Sequence, residues 1–424
     1  MHDPASSRRG LLKYAAATGV GVSTTAGVAT YLHSGRRGGS EDQRHRHGLL
    51  LTWQRDPTTT MTIDWHGLEP RDGEAALEYR RSDQADWTRE TGTTRPFPHS
   101  PRRIHRLELT DLSPDTEYAF RLPAFAEEYT FRTMPATVSA DRPVSFATGG
   151  DTMQSWKHLH RMNDAIALQD VDFVHWGGDL AYADANPNNI VAWYDWFAVN
   201  KHSLVTPEGR VIPLVAEIGN HEVSSFYYHE DENYEQTATR RRALAPFFYE
   251  LFAFPGQPGY GALDFGDYLR LLVLDSNHTN PIAGTQTEWL AARLAEPSPT
   301  HVVPSYHVPA YPSNRDPSNR NSRAIRAEWT PLFDANGVEI ALEHHDHVYK
   351  RSVPIRNNEP AEDGIIYAGD GAWGVETREG DQRDQWYIDH MVLERHGKLV
   401  HLDEDGLAIE VISERGETID AFEV

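Results

Sequence analysis

Seven side chains of metal-ligating type follow short apolar runs between residues 151 and 347. They are Asp151, Asp179, Tyr182, Asn220, His307, His345 and His347. If the runs are successive strands of a parallel sheet, the side chains that follow them meet at one edge of that sheet. Carboxylate, phenolate, amide and imidazole groups in this number suit two neighbouring metal ions, a centre that hydrolyses phosphate esters. The sequence therefore predicts a metal-dependent hydrolase.

The candidate ligands differ in the ions that they suit. Asp179 lies in the run Gly178-Asp179-Leu180-Ala181-Tyr182, and a carboxylate with two oxygens can bridge cations about 3.5–4 Å apart. Tyr182 offers a phenolate, a hard anionic ligand that favours Fe(III) over Zn. Asn220 offers a neutral amide oxygen, which suits a divalent ion. The alternate spacing of His345 and His347 puts both on one side of an extended segment.

Each motif taken alone also has a simpler explanation. The run from Gly178 to Tyr182 resembles many strand ends, and Gly219-Asn220-His221-Glu222 has the residues of a helix N-terminus. A single histidine such as His307 is often only hydrogen-bonded. The joint occurrence of the motifs, in one consistent order after apolar runs, favours the metal centre.

Composition narrows the class of protein. The chain has 424 residues and a formal net charge of −23, which argues against a nucleic-acid binder because phosphate backbones require a basic face. An anionic substrate must therefore be attracted by a local positive field. Cysteine is absent, which excludes disulfides and thiolate metal sites. The length predicts about two domains.

The N-terminus has the pattern of an export signal. Arg8-Arg9 precede a mildly apolar stretch that is rich in Ala, Gly and Val, which predicts a twin-arginine-type signal over residues 1–32. An uncleaved membrane anchor is the alternative, although the stretch is short and Gly-rich for a span of ~20 apolar residues. Residues 33–47 are polar and Gly-rich and are predicted to be a linker. The protein is thus expected outside the cytoplasm: extracellular, periplasmic or on the cell surface.

Two structural patterns follow the linker. Residues 48–137 contain short alternating strands separated by turns, which predicts an all-β sandwich. The segment around Tyr118 resembles the tyrosine corner of a fibronectin type III domain. Residues 142–424 alternate strands with amphipathic stretches such as 158–168 and 286–294, which predicts an α/β layered domain. Residues 389–410 alternate again and are expected to add strands at a sheet edge.

The motifs together resemble those of the purple acid phosphatase family of calcineurin-like metallophosphoesterases. The resemblance extends from about Leu49 to the C-terminus, and the motif that carries Tyr182 is its most specific part. It implies an α/β metallophosphoesterase sandwich, with two mixed sheets flanked by helices, preceded by a fibronectin type III-like sandwich.

The resemblance also implies a role for each site residue. Fe(III) would be held by Asp151, Tyr182 and His347, with Asp179 as the bridge. A divalent ion (Zn, Mn or Fe) would be held by Asn220, His307 and His345. His221 would remain outside the ligand set and would bind the substrate phosphate or protonate the leaving group.

The sequence departs from the family pattern at two places. His344 stands where the family has Gly, so it is expected either to alter the surroundings of the ligands or to compete as a ligand. Plant members carry a pair of histidines shortly after the His307 position, and this chain has none there. Arg315 and Arg320 are candidates for phosphate contacts instead, and a solvent-exposed charged loop is the alternative.

The expected reaction is hydrolysis of small phosphate monoesters at acid pH by a metal-bound hydroxide. A phosphodiesterase or nucleotide hydrolase on the same site is one alternative. A non-catalytic secreted metal-binding or adhesion protein is another. No nucleic-acid partner is expected, a membrane is involved only through the export signal, and a homodimer is compatible with the sequence. His278 is expected to be solvated or locally bonded, and Trp193 and Trp196 are expected to pack.

Overall fold

The computed structural model describes residues 47–68, 75–122, 127–228, 236–297, 299–369 and 371–424. The predicted signal segment 1–32 and residues 33–46 of the predicted linker lie outside the described residues. The first strand begins at His47, the last residue assigned to the linker. Among the described residues, no helix has the length and apolar character needed to cross a bilayer.

The N-terminal part is a sandwich of two four-stranded antiparallel sheets with the orders β1-β2-β6-β5 and β4-β3-β7-β8. In chain order the strands are β1 (His47–Thr52), β2 (Met61–Gly67), β3 (Ala76–Arg81), β4 (Thr88–Thr91), β5 (Thr93–Pro96), β6 (Arg103–Leu109), β7 (Glu117–Arg121) and β8 (Glu128–Arg132). The sequence patterns did not reveal β4 and β5, because both are short, polar and largely exposed.

The tyrosine corner that the sequence suggests is present. The hydroxyl of Tyr118 accepts a hydrogen bond of 2.9 Å from the backbone N–H of Ser113. The ring is buried and stacks on Phe131 at a centroid distance of 5.5 Å. The hydroxyl thus satisfies a backbone donor of the preceding loop and fixes where β7 begins.

The C-terminal part consists of two mixed sheets with the orders β11-β10-β9-β21-β22-β23 and β12-β13-β14-β15-β19-β16-β20, and β17 and β18 form a separate hairpin. The strands are β9 (Val144–Gly149), β10 (Phe173–Trp176), β11 (Leu214–Ala216), β12 (Gly261–Phe265), β13 (Leu269–Leu274), β14 (His301–Tyr306), β15 (Ile340–Glu343), β16 (Tyr349–Ser352), β17 (Ile355–Arg356), β18 (Glu359–Pro360), β19 (Ile366–Gly369), β20 (Ile388–Val392), β21 (His396–Asp403), β22 (Gly406–Ser413) and β23 (Thr418–Glu423). Strands β9, β10 and β11 are parallel, as are β13, β14, β15 and β19.

Helices connect these parallel strands. They are α1 (Trp156–Ala167), α2 (Ile190–Ser203), α3 (Ala238–Leu244), α4 (Phe248–Leu251), α5 (Thr285–Ala295), α6 (Arg320–Glu328) and α7 (Thr330–Ala335). The helices α1 and α5 correspond to the two predicted amphipathic stretches within two residues. On α2, Trp193 and Trp196 are fully buried and pack as expected. The two mixed sheets with helices confirm the predicted fold class.

The C-terminal tail is divided between the two sheets. Strand β20 lies at the edge of the second sheet, as expected for the tail. Strand β21, however, lies in the middle of the first sheet and pairs with β9. The tail therefore extends the first sheet at the β9 side through β21, β22 and β23, and the expectation that it adds strands at a sheet edge is confirmed. Leu399, Val400 and Leu402 of β21 are buried in the core.

The N-terminal sandwich shares a core with the first mixed sheet. The buried ring of Trp53 makes edge contacts with Phe173 at 5.7 Å and with Phe265 at 5.5 Å. Phe173 stacks in turn on Phe146 at 4.7 Å. These aromatic contacts join the sandwich to β9, β10 and β12, and so brace the strands that carry the candidate ligands.

Candidate metal centre

The candidate ligands follow the carboxyl ends of parallel strands from both mixed sheets. Asp151 follows β9, Asp179 follows β10, and Asn220 follows β11. His307 directly follows β14, and His345 comes two residues after β15. The two sheets thus bring their ligand-bearing ends together, as the order of the sequence motifs predicts.

Most of these ligand positions have a left-handed backbone. The φ angles are 58° at Asp151, 51° at Asp179, 51° at Tyr182, 76° at His345 and 58° at His347. Non-glycine residues rarely adopt this conformation. Each such residue costs about 1–3 kcal/mol, and clusters of them are characteristic of functional sites. The backbone is therefore strained where the side chains must converge.

The first group of ligands consists of Asp151, Tyr182 and His347. The Tyr182 hydroxyl lies 3.1 Å from Asp151 Oδ1 and 3.3 Å from His347 Nε2. His347 Nε2 is 2.9 Å from the same carboxylate oxygen. The other Asp151 oxygen accepts the backbone N–H of His345 at 2.9 Å. Three atoms of metal-ligating type therefore face one point.

The second group consists of Asn220, His307 and His345, with Asp179 beside it. His307 Nε2 lies 3.2 Å from Asn220 Oδ1, 3.0 Å from His345 Nδ1 and 3.1 Å from Asp179 Oδ2. The other Asp179 oxygen accepts the backbone N–H of His221 at 2.8 Å. All members of the two groups are buried except Tyr182, which is half-buried.

The donor atoms fit metal ions. His307 Nδ1 donates to the carbonyl oxygen of Gly177 at 2.7 Å, so its Nε2 presents a lone pair to Asp179, Asn220 and His345. His347 Nδ1 likewise donates to the carbonyl oxygen of Glu376 at 3.2 Å. Buried lone pairs that face one another require a cation between them. The residues present therefore suit the binuclear centre that the sequence implies.

The pKa values of His307 and Tyr182 also indicate a site for positive charge. Burial alone would lower the pKa of His307, but the carboxylates of Asp179 and Asp151 raise it to about 10. Burial, together with the same two carboxylates, raises the pKa of Tyr182 well above its ordinary value. A proton on His307 thus takes the place that a cation would fill, and the cluster attracts positive charge strongly.

Glu222, whose role the sequence did not indicate, stabilises two of the turns that carry the candidate ligands. Its Oε2 accepts the backbone N–H groups of Asp179 and Gly219, both at 2.8 Å. Its Oε1 accepts the N–H of Leu180, also at 2.8 Å. One buried carboxylate thus fixes the turn of the first metal motif against the turn that carries Asn220. The Gly-Asn-His-Glu motif contains this residue, but two of its three partners, Asp179 and Leu180, lie more than 40 positions away.

His221 is paired with Asp184, a residue that the sequence did not indicate, and we call this pair the His221 dyad. Its Nδ1 lies 2.5 Å from Oδ1 of Asp184. The imidazole lies between the ring of Tyr182, at 4.3 Å, and the ring of Phe226, at 5.5 Å. Burial would lower the pKa of His221, but the charges of Asp179 and Asp184 outweigh it and raise the pKa above its ordinary value.

Two further residues contact the second ligand group. The Tyr227 hydroxyl lies 3.1 Å from His345 Nε2. His278 is fully buried, stacks on Tyr227 at 5.5 Å and packs edge-on against His307 at 5.5 Å. It is locally bonded, to the hydroxyl of Ser276 and the carbonyl oxygen of Phe226. The alternative that His278 is solvated is therefore wrong.

His344 lies beneath the centre rather than in it. Its ring is fully buried and packs against Gly150 and Gly177, where a β-carbon at Gly177 would lie 1.9 Å from the ring. Its Nε2 is 3.3 Å from the hydroxyl of Ser305. The ring therefore occupies space that these glycines leave open, and it contacts the segments that carry Asp151 and Asp179 rather than competing as a ligand.

The two arginines proposed for phosphate contacts line a pocket beside His345. Arg315 Nη1 donates to the carbonyl oxygen of His345 and to Oδ1 of Asp346, both at 2.7 Å. Arg320 is exposed and begins α6. Arg315 is therefore docked on the metal-ligand loop, whereas Arg320 reaches the same pocket from a neighbouring helix.

Replacing Glu222 by Gln should destabilise the centre. The change substitutes an amide for one of the two acceptor oxygens, so at least one of three buried N–H groups loses its partner. We expect the metal-free protein to lose about 1–3 kcal/mol of unfolding free energy, measured by urea denaturation. Glu208→Gln, at an exposed turn, is the matched control. Equal stability of the two variants would contradict this role of Glu222.

Comparison with known families gives two matches. Residues 47–133 match the N-terminal domain of purple acid phosphatases. Residues 146–349 match the calcineurin-like phosphoesterases. The second match contains the seven candidate ligands and His221, and the first covers the β-sandwich.

Individual relatives agree with these matches. An uncharacterised protein of Mycobacterium tuberculosis is 28% identical over 413 residues, which cover 88% of this chain and 73% of the relative. Purple acid phosphatase 18 of Arabidopsis thaliana is 27% identical over 321 residues, which cover 70% of this chain and 65% of that protein.

Two solved structures have a similar fold. The purple acid phosphatase PPD1 of yellow lupin (Lupinus luteus) seeds has a TM-score of 0.73 at 16% identity, over 89% of this chain and 74% of that one. PhoD has a TM-score of 0.64 at 14% identity, over 88% of this chain and 91% of that one. With both domains matched in sequence and the architecture shared, the chain belongs to the purple acid phosphatase family.

Proposed function

We propose that this protein is a binuclear metal-dependent phosphatase that hydrolyses small phosphate monoesters. Family membership already indicates a metal-dependent phosphoesterase. The observation that carries the finer proposal is the convergence of two ligand groups, Asp151-Tyr182-His347 and Asn220-His307-His345, beside Asp179. A purely structural site would need neither a second group nor the His221 dyad next to it.

The two groups differ in chemistry, and this supports two different ions. Asp151, Tyr182 and His347 would hold Fe(III), since a phenolate is a hard anionic ligand. Asn220, His307 and His345 would hold a divalent ion (Zn, Mn or Fe), and Asp179 would bridge the two. Metal ions bound in this way activate water as a nucleophile and neutralise charge on the phosphoryl oxygens.

The protein's own residues position the substrate and supply a proton. His221 holds its backbone N–H on Asp179 and its Nδ1 on Asp184, so its Nε2 is the atom left to face the substrate. A raised pKa keeps the imidazole protonated at acid and near-neutral pH. Nε2–H is then available to protonate the departing alkoxide as the ester bond breaks.

Export supports the same proposal. The twin-arginine-type pattern before residue 32 would carry folded protein across the membrane, which suits an enzyme that binds its metals before export. We propose an extracytoplasmic location on this ground.

Phosphodiester hydrolysis is a second candidate. The pocket beside His345 favours it, because a diester has a second substituent to place.

The purified protein, with its metals assayed, should be offered an aryl phosphate monoester and the matching diester across pH. We expect preference for the monoester at acid pH. Preference for the diester would identify the enzyme as a phosphodiesterase. If the protein with its metals bound hydrolysed neither ester, both candidate functions would be contradicted.

The identity of the first metal can be tested by colour. A ferric ion bound by the Tyr182 phenolate absorbs visible light, so the purified protein should be coloured. Tyr182→Phe should lose this absorption while the protein stays folded, as measured by visible and circular dichroism spectra. Tyr227→Phe is the matched control and should keep the colour. An unchanged visible spectrum in Tyr182→Phe would contradict the ferric assignment.

The role of the dyad can be tested by pH dependence. Because Asp184 raises the pKa of His221, activity that needs protonated His221 persists to higher pH and is lost as the pH rises through that pKa. In Asp184→Asn the alkaline limb of the kcat/KM profile for an alkyl phosphate should move down by about one pH unit. Asp164→Asn is the control, since Asp164 pairs with His160 on α1. Coincident profiles for Asp184→Asn and the wild type would contradict the dyad.

A further inference from the structure

A pocket of about 330 Å³ opens beside the second ligand group. Of the seven candidate ligands, only His345 lines it. A phosphate that is being hydrolysed must contact both groups, so it lies outside most of this pocket. The pocket is therefore available to the rest of the substrate.

Part of the pocket lining is apolar. Tyr227, Val308, Pro309 and Pro312 contribute to it. The Tyr227 ring is fixed at both ends, because it stacks on His278 and its hydroxyl meets His345. A rigid apolar surface of this kind suits the carbon skeleton of an organic ester.

Two arginines, Arg315 and Arg320, also line the pocket. Asp346, which is fully buried, holds Arg315 by two contacts: it accepts the backbone N–H of Arg315 at 3.1 Å and a hydrogen bond from its Nη1 at 2.7 Å. Asp346 also accepts the backbone N–H of the neighbouring Asn314 at 2.7 Å. The guanidinium is thus positioned before any substrate arrives. Preorganised donors bind with less loss of entropy.

A third arginine, Arg378, lies beside the loop that carries His345 and His347. The backbone N–H of Arg378 donates to the carbonyl oxygen of His347 at 3.2 Å. In a chain with a net charge of −23, this concentration of arginine marks a place that attracts anions.

We propose that the pocket is a subsite for a second anionic group, a phosphate or a carboxylate, carried on the organic part of the substrate. The inference rests on the proposed phosphatase function. The scissile phosphate occupies the metal centre, the carbon skeleton lies on the apolar lining, and the second anion contacts Arg315 and Arg320. Guanidinium groups suit both anions because they donate two parallel hydrogen bonds.

Three alkyl phosphates of equal chain length test this proposal with the metal-loaded enzyme. They are a propanediol monophosphate, the corresponding bisphosphate, and the phosphate ester of a hydroxy acid. The scissile bond is of the same type in all three, and only the distal group differs. We expect kcat/KM to be about tenfold higher for at least one of the two doubly anionic esters, mainly through a lower KM, which corresponds to about 1.4 kcal/mol. Which ester gains identifies the anion.

Arg320→Gln is the decisive variant, because Arg315 also supports the His345 backbone. It should remove most of the preference, again through KM. Arg323→Gln removes the same charge one turn further along α6, at an exposed position that does not line the pocket, and should keep the preference. If both variants lowered the preference for doubly anionic esters equally, the preference would come from overall charge, and the proposal would be overturned.

The outcomes also separate this proposal from the phosphatase function. Hydrolysis of all three esters with equal kcat/KM would overturn the subsite and leave the phosphatase function standing. Absence of hydrolysis of any ester by enzyme with both metals bound would contradict the phosphatase function itself. Thermal unfolding midpoints of both variants should match the wild type.

Discussion

Buried lone pairs of the candidate ligands face and repel one another where the two mixed sheets meet. The rest of the structure must compensate for this repulsion. His307 Nε2 faces acceptor atoms of Asp179, Asn220 and His345 within 3.2 Å. Asp151, Tyr182 and His347 form a similar group nearby. Without positive charge, this arrangement would be strongly unfavourable in the protein interior. We therefore expect cations bound at this centre to stabilise the folded C-terminal part of the chain.

Residues around the centre hold the candidate ligands in place against this repulsion and against the backbone strain at their positions. Five of the seven ligand positions have a left-handed backbone, which persists only where the surroundings determine it strongly. Glu222 binds two N–H groups of the Asp179 turn and that of Gly219, and His344 fills the space beneath Gly150 and Gly177. The N-terminal sandwich braces the same strands through Trp53. The support therefore comes from elements far apart in sequence.

The convergence of the seven candidate ligands could be predicted from sequence because they follow apolar runs, with Tyr182 after the same run as Asp179 and His347 after the same run as His345, so local patterns are enough. The architecture was predictable for the same reason. Glu222, Asp184, Tyr227 and His278 were not predictable, since their significance lies in contacts with residues that are distant in the chain. The division of the tail between the two sheets was not predictable, because alternation indicates a strand but not its neighbours. His344 departs from the family pattern, and only the packing of its ring shows that it lies beneath the centre.

We propose that catalysis needs two metal ions per chain. The most direct measurement is to strip the metals, add them back in steps, and record metal content by mass spectrometry together with phosphate release. We expect little activity at one ion per chain and full activity as the content reaches two. Full activity at one ion, or activity in the metal-free protein, would contradict it.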